Sequence, residues 1–174
     1  MSTSNMGSCL VPTKKVYKQQ FYGGSKLQRI DLVVRYLALK AHYAGKENAF
    51  SMYGKMQRAR SGKCRYQPLE KMKQRLLYLA DSVQGCGCIH VPIQISSRGR
   101  LINGSHRLSV ALYFKLSTIP CNICTRVNKK WDLMINRNAA FDINWFYRKN
   151  FTPQEINRIE AAQKEMDGLV CDVL

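Results

Sequence analysis

The segment from Leu101 to Pro120 constrains the fold most, because its pattern changes from strand to helix and back within twenty residues. Leu101-Ile102 reads as a strand end, Gly104 as a turn, and the residues from about His106 to Phe114 as a helix. A second strand is predicted from Thr118 to Arg126. A strand, a glycine turn, a helix and another strand in succession indicate a mixed α+β fold.

Four residues stand at the turn into this helix: Gly104, Ser105, His106 and Arg107. A helix start presents backbone N–H groups without intrahelical partners and the positive end of the helix dipole. Hydroxyl, imidazole and guanidinium donors added there suit a phosphate. Each side chain also has a structural alternative: a helix cap for Ser105, a backbone hydrogen bond for His106 and a salt bridge for Arg107. The sequence predicts a phosphate-binding turn.

The same region resembles the ParB/sulfiredoxin fold. That family carries a Gly-x-x-Arg turn at this place, followed by a small-residue helix and a strand. Further back, the family has a helix ending in Leu-Ala-x-Ser-hydrophobic, then a glycine, then a strand with Pro-hydrophobic-x-hydrophobic. The residues that match this order are Leu79, Ala80, Ser82, Val83, Gly85, Pro92, Ile93 and Ile95. The resemblance covers about Tyr66 to Val127, roughly a third of the chain.

The resemblance implies a small mixed sheet with helices and a turn that holds nucleotide phosphates, as in ParB-type CTPases, sulfiredoxins and free-serine kinases. Ser105 stands where a sulfiredoxin has its catalytic cysteine, and a hydroxyl cannot perform that sulfur chemistry. The resemblance to free-serine kinases instead implies a nucleotide-dependent phosphotransferase acting on a hydroxyl-bearing metabolite such as a sugar. ATP or ADP with Mg²⁺ is the expected cofactor.

Phosphoryl transfer to a hydroxyl requires a carboxylate near the acceptor. Free-serine kinases of this fold contribute an acid from before the core motif. The catalytic candidates here are Asp31 and Glu47, with Asp81 ranked behind them, and His106 as a group that could move a proton. Glu47 is also readily explained as a solvated surface acid.

The charge balance indicates an anionic partner. The 174 residues include 28 Lys or Arg against 11 Asp or Glu, which gives a net charge of +17. The acid-free segment 48–69 offers five cations as polyanion contacts: Lys55, Arg58, Arg60, Lys63 and Arg65. Because of these cations, the first alternative function is that of a ParB-like protein whose binding of nucleic acid is regulated by a nucleotide. A non-catalytic protein that binds a phosphate ligand is the second.

The seven cysteines show no disulfide-framework spacing, which favours a reducing, cytoplasmic location. One imaginable four-thiolate zinc site consists of Cys86, Cys88, Cys121 and Cys124. Residues three apart on a strand point to opposite faces, which disfavours the second pair as ligands. We therefore expect no metal site, and structural roles for His42 and His90. No signal peptide is apparent, and no apolar run approaches the ~20 residues that a membrane span needs.

The chain divides into four predicted segments. They are a flexible arm (1–24), a basic helical extension (25–65), the ParB/sulfiredoxin-like core (66–127) and a C-terminal helical segment packed on the core (128–174). Thr152, Pro153 and Glu155 predict a capped helix start, and Gly168 a helix end. The aromatic residues before this helix are expected to be core rather than a stacking platform: Phe141, Trp145, Phe146, Tyr147 and Phe151.

Overall fold

The computed structural model describes residues 8–21, 29–60, 69–124 and 150–171. Within these residues six helices accompany a four-stranded mixed sheet, so the predicted α+β class is confirmed. The helices are α1 (Thr13–Lys18), α2 (Ile30–Tyr43), α3 (Ser51–Arg60), α4 (Leu69–Cys86), α5 (Ser105–Tyr113) and α6 (Pro153–Cys171). The strands are β1 (Cys9–Pro12), β2 (Ile93–Ser96), β3 (Leu101–Asn103) and β4 (Thr118–Cys124).

The sheet has the strand order β1-β4-β2-β3. β2 and β3 form an antiparallel hairpin, and β1 runs antiparallel to β4. β2 and β4 are parallel, with Ile93 opposite Cys121. Parallel neighbours need a crossover connection, which β3 and α5 supply. The crossover places the turn before α5 against β2, where Gly104 packs on Ile93.

Helix α2 lies at the centre of the core rather than on its surface, since ten of its fourteen residues are buried. Ser109 of α5 donates a hydrogen bond to the carbonyl oxygen of Leu32 over 3.3 Å. Tyr36 donates one to Glu165 of α6 over 2.8 Å. These contacts hold α2 between α5 and α6, and they fix the position of the polar groups at its N-terminal end.

The expectation of a flexible arm over residues 1–24 is wrong for residues 9–20. β1 pairs with β4 along its whole length. α1 follows at once and buries Thr13, Val16 and Tyr17 on one face. A four-residue edge strand and a six-residue helix are too short for the apolar period to stand out in a polar segment.

The predicted start of the C-terminal helix is confirmed. The backbone N–H of Thr152 donates to the Glu155 carboxylate over 2.8 Å, and the Glu155 N–H donates to the Thr152 hydroxyl over 3.2 Å. The predicted end at Gly168 is wrong, because α6 continues to Cys171. A single glycine costs a helix only about 1 kcal/mol, which is too little to end it.

The predicted core elements agree with the structure to within a few residues. α5 begins at Ser105 rather than at about His106, and Ile93 and Ile95 of the matched strand pattern lie in β2. The segment boundaries expected near residues 65 and 127 fall in ranges 61–68 and 125–149, outside the described residues. In the part of the chain that the structure describes, no helix combines the length and the apolar character that crossing a bilayer requires.

Candidate functional site

The start of α5 is a sharp turn that only glycine fits. Gly104 has a φ of +112°, and a Cβ atom at this position would lie 2.5 Å from the Cγ2 atom of Ile93. The first backbone hydrogen bond of the helix runs from the N–H of Leu108 to the carbonyl oxygen of Gly104 over 2.9 Å. Gly104 has no side chain to cap this end of the helix, and no other side chain of the described residues caps it. The backbone N–H groups of the first turn therefore keep their capacity to bind an anion.

A buried arginine reaches the same turn from α2. Arg29 precedes the first residue of α2 and donates a hydrogen bond from Nη2 to the Oγ atom of Ser105 over 3.3 Å. Its Nε and Nη2 atoms also donate to the two carboxylate oxygens of Asp31 over 2.8 and 3.0 Å. Arg35 donates to Asp31 as well, over 3.1 Å. Two guanidinium groups and one carboxylate leave one net positive charge beside Ser105.

Gln20 fixes the orientation of Arg29. The Oε1 atom of Gln20 accepts hydrogen bonds from Nη1 of Arg29 and from the backbone N–H of Leu101, both over 3.0 Å. Its Nε2 atom donates to the carbonyl oxygens of Val16 and Gly99 over 2.7 and 3.0 Å. One buried amide thus connects α1, the β2–β3 turn and Arg29, which gives the guanidinium one preferred position.

His106 has a phenol as its partner. Its Nε2 atom lies 2.9 Å from the hydroxyl oxygen of Tyr53 in α3, and either group can be the donor, depending on the ring tautomer. Tyr53 is fully buried, and the guanidinium of Arg35 lies 5.9 Å from the centre of its ring. α3 therefore holds His106 at the turn through the side chain of Tyr53. The structural alternative considered from the sequence was a hydrogen bond from the ring to the backbone.

Arg107 is held by backbone carbonyl groups rather than by a carboxylate. Its Nη1 atom donates to the carbonyl oxygen of Val91 over 3.1 Å and also to that of Pro92. Burial lowers the pKa of Arg107, although a guanidinium stays charged in proteins. Both bonds use the same nitrogen, which leaves the other two nitrogens of this half-buried side chain without a partner among the described residues.

The carboxylates expected to be catalytic do not gather at this turn. Asp31 lies near it, but Arg29 and Arg35 occupy its oxygens. Glu47 is exposed and follows the C-terminal end of α2, about 20 Å along the helix axis from the end that carries Arg29. Asp81 accepts a hydrogen bond from Tyr43, and burial together with this bond raises the pKa of that tyrosine to about 12. Among the residues predicted to be catalytic, His106 alone has its side chain at the turn and a hydrogen bond to an uncharged group, the Tyr53 hydroxyl.

The predicted polyanion segment is partly neutralised. Lys55 forms an ion pair with Glu155 over 2.7 Å and is two-thirds buried. Burial opposes ionisation of Glu155, but the bonds from Lys55 and Thr152 outweigh it and lower the pKa of that carboxyl. Arg58 is exposed. The side chain of Arg60 and the whole of Lys63 and Arg65 lie outside the described residues, as do all of the aromatic residues from 141 to 147.

A cavity of about 370 Å³ lies between α1 and the β2–β3 turn. Its walls are apolar at Val11, Ile95 and Ile123, and basic at Lys15 and Arg98. Sequence reasoning missed this cavity together with Gln20, Arg29 and Tyr53. No local motif marks these residues, because their contacts join positions up to 81 residues apart.

No family model, curated protein or solved structure matches this chain. The resemblance to the ParB/sulfiredoxin fold therefore stays a prediction. The mixed sheet and the geometry around Ser105 are properties of the structure and do not depend on that resemblance.

Proposed function

We propose that this chain is a nucleotide-dependent phosphotransferase with a ParB/sulfiredoxin-like core, which binds nucleotide phosphates at the start of α5. One observation carries the proposal: a buried arginine, Arg29, contacts Ser105 at a helix start that has no side-chain cap. An anion placed there meets backbone N–H groups, the positive end of the helix dipole and one net positive charge. The fixed orientation of Arg29 lowers the entropic cost of binding.

Arg107 of α5 adds a second cation to Arg29, which comes from the start of α2. Its Nη1 atom is bonded to backbone carbonyls, which keeps the rest of the fork available as donors for a phosphate oxygen. Ser105, the first residue of α5, supplies a hydroxyl donor. Together these groups favour a ligand with several phosphate oxygens over a single carboxylate.

The transfer half of the proposal rests on the resemblance to free-serine kinases. The acceptor oxygen of the metabolite attacks the terminal phosphorus while the bond from phosphorus to the bridging oxygen breaks, and the acceptor proton passes to a base. We assign this proton to the Nδ1 atom of His106, because the neutral tautomer whose Nε2–H donates to the Tyr53 hydroxyl carries its lone pair on Nδ1. Asp31 holds the two arginines and has a positioning role.

Magnesium would accompany the nucleotide, but the described residues at the turn do not fit a protein-bound ion. The oxygens of Asp31, the nearest carboxylate in that part of the structure, accept hydrogen bonds from arginines. Mg²⁺ commonly binds through substrate phosphates and water with few protein ligands. We therefore place no step of the transfer on a metal held by these residues.

The test is a melting-temperature survey of the full chain with ATP, GTP, CTP and their diphosphates, each with Mg²⁺. A ligand at a hundred times its Kd should stabilise the fold by about 2.7 kcal/mol. The nucleotide that binds is then incubated with small hydroxyl-bearing metabolites, and consumption is followed by phosphorus NMR. Turnover that depends on one acceptor supports the transfer. Nucleotide binding without acceptor-dependent turnover would favour the non-catalytic alternative, and the absence of binding would contradict the site itself.

The net charge of +17 favours a second candidate function, a nucleotide-regulated protein that binds nucleic acid. In that case the phosphate-binding turn would control contact with the polyanion instead of a transfer reaction. The two functions differ in the salt dependence of duplex binding, which is considered in the Discussion.

A further inference from the structure

Three side chains with metal-binding atoms meet where α4 ends. The sulfur atoms of Cys86 and Cys88 are 3.8 Å apart, and the sulfur of Cys88 lies 3.8 Å from both ring nitrogens of His90. All three ligand atoms lie within 4.8 Å of one another, and all three residues are exposed. Cys121 and Cys124 do not belong to this group. The four-thiolate site considered from the sequence had Cys121 and Cys124 as its second pair of ligands. In the structure one histidine, His90, stands in their place.

These separations match the edges of a zinc coordination tetrahedron. Zn–S bonds of about 2.3 Å in a tetrahedral site place two sulfurs about 3.8 Å apart. With a Zn–N bond of about 2.0 Å, the sulfur-to-nitrogen edge is about 3.5 Å. The 3.8 Å distances from the sulfur of Cys88 to Cys86 and to His90 are close to these edges, and the third pair, Cys86 with His90, lies within 4.8 Å.

The backbone explains why the three side chains converge. α4 ends at Cys86, and Gly87 follows with a φ of +71°, a conformation that glycine adopts readily. The N–H of Gly87 donates to the carbonyl oxygen of Val83 over 2.8 Å and so closes the last turn. The chain therefore bends sharply after the helix, and ligands two residues apart along the sequence lie on one side of the bend.

We propose that Cys86, Cys88 and His90 bind Zn²⁺, with the fourth coordination position open to water. Two soft thiolates and one imidazole of borderline softness suit Zn²⁺, whereas Mg²⁺ and Ca²⁺ prefer oxygen ligands. Binding converts two thiols into thiolates and releases up to two protons per ion. The site lies on the loop that leads to Val91 and Pro92, whose carbonyl oxygens hold Arg107. It stands on its own geometry and does not depend on the proposed nucleotide site.

The test uses the full chain after treatment with a chelator and a phosphine reductant, without oxygen. Titration with Co²⁺ should give thiolate-to-cobalt charge-transfer absorption in the near ultraviolet and the visible bands of tetrahedral cobalt. Both should saturate at one ion per chain, and Zn²⁺ should displace them. Competition with a chromophoric chelator then gives the zinc affinity.

Three variants remove one ligand each: Cys86→Ser, Cys88→Ser and His90→Gln. Each should weaken zinc binding by more than the roughly 10- to 100-fold that outer-shell changes cause. The matched controls Cys9→Ser, Cys124→Ser and His42→Gln should bind zinc as the wild type does, and circular dichroism checks that every variant is folded. Unchanged zinc affinity in His90→Gln, loss of affinity in Cys124→Ser, or no charge-transfer band in the reduced wild type would each overturn the proposal.

Discussion

Arg29 donates a hydrogen bond from Nη2 to the Oγ atom of Ser105 over 3.3 Å, and the two residues are 76 positions apart in the sequence. The contact joins the N-terminal end of α2 to the start of α5. Since Arg29 is also bonded to Asp31 and Gln20, the helix start that we propose for phosphate binding is supported by the folded core. The four residues of the turn would not make this site in isolation.

The first prediction concerns the buried pair. Arg29→Met removes two hydrogen bonds from Asp31 and leaves Gln20 without its guanidinium partner. Arg35 still pairs with Asp31 in this variant, so we expect the free energy of unfolding in urea to fall by about 2–3 kcal/mol, from the loss of charge-assisted hydrogen bonds. Lys40→Met is the control, because the pair that Lys40 forms with Glu165 is exposed and is worth about 1 kcal/mol or less. Equal losses in the two variants would contradict a stabilising role for the buried pair.

The second prediction concerns the glycine before α5. Gly104→Ala places a Cβ atom 2.5 Å from Ile93 and imposes a positive φ on a residue with a side chain. We expect the variant to lose about 2–4 kcal/mol of unfolding free energy, from backbone strain and overpacking together. Gly45→Ala is the matched control, since Gly45 has a φ of +68° and open space around its Cβ position. That control should lose only about 1 kcal/mol of unfolding free energy. Equal losses in the two variants would show that the close packing of Gly104 on Ile93 has no effect on stability.

The third prediction locates the phosphate. Arg107→Ala removes one charge-assisted contact, which should weaken nucleotide binding by about 1.5–3 kcal/mol, or roughly ten- to a hundredfold. The side chain is only half-buried, so the fold should persist. Arg98→Ala is the control, because Arg98 lines the cavity beside α1 instead of the start of α5. Isothermal titration on both variants decides between the two places. A loss confined to Arg98→Ala would move the phosphate site to the cavity.

The fourth prediction concerns pH. The pKa of Glu155 is lowered in the folded chain, so its ionised form stabilises the fold above the unfolded-state pKa of about 4.3. That contribution is lost as the pH falls through the lowered folded-state pKa. Glu155→Gln keeps a capping-box side chain but has no charge to titrate. The melting temperature of the wild type should therefore exceed that of the variant at pH 7, and the difference should shrink below about pH 4. A difference that does not change with pH would contradict a role for the Lys55 ion pair.

The elements that sequence reasoning predicted well are those with long apolar patterns. The helix after Gly104, predicted from about His106 to Phe114, covers Ser105–Tyr113 in the structure. β1 was missed because an edge strand of four residues, none of them buried, has no apolar pattern of its own. Helix propensity also misplaced the end of α6 at Gly168, because packing along the rest of the helix outweighs a single glycine.

Of the candidate site, the sequence predicted only the residues that are adjacent in the chain. Ser105, His106 and Arg107 are adjacent, so their common location follows from the helix start. Their partners Arg29 and Tyr53 come from α2 and α3, and no periodic signal relates them to residues 76 and 53 positions away. His90 was taken as structural for a related reason, since the ring meets Cys88 through a bend at Gly87 that the sequence does not reveal.

The fifth prediction separates the phosphotransferase from the nucleic-acid-binding alternative. Because Glu155 already neutralises Lys55, we expect few phosphate contacts from α3 and weak duplex DNA binding at physiological salt. At about −0.9 per phosphate contact, the slope of log binding constant against log salt concentration should be no steeper than about −2. Glu155→Gln releases Lys55 and should steepen the slope by about 0.9 at most. Fluorescence anisotropy with a labelled duplex between 50 and 200 mM salt measures both slopes. Tight, sequence-selective binding with a steep slope, in a protein that shows no acceptor-dependent nucleotide turnover, would reverse the ranking of the two functions. The turn at Gly104 would then regulate contact with DNA through the bound nucleotide.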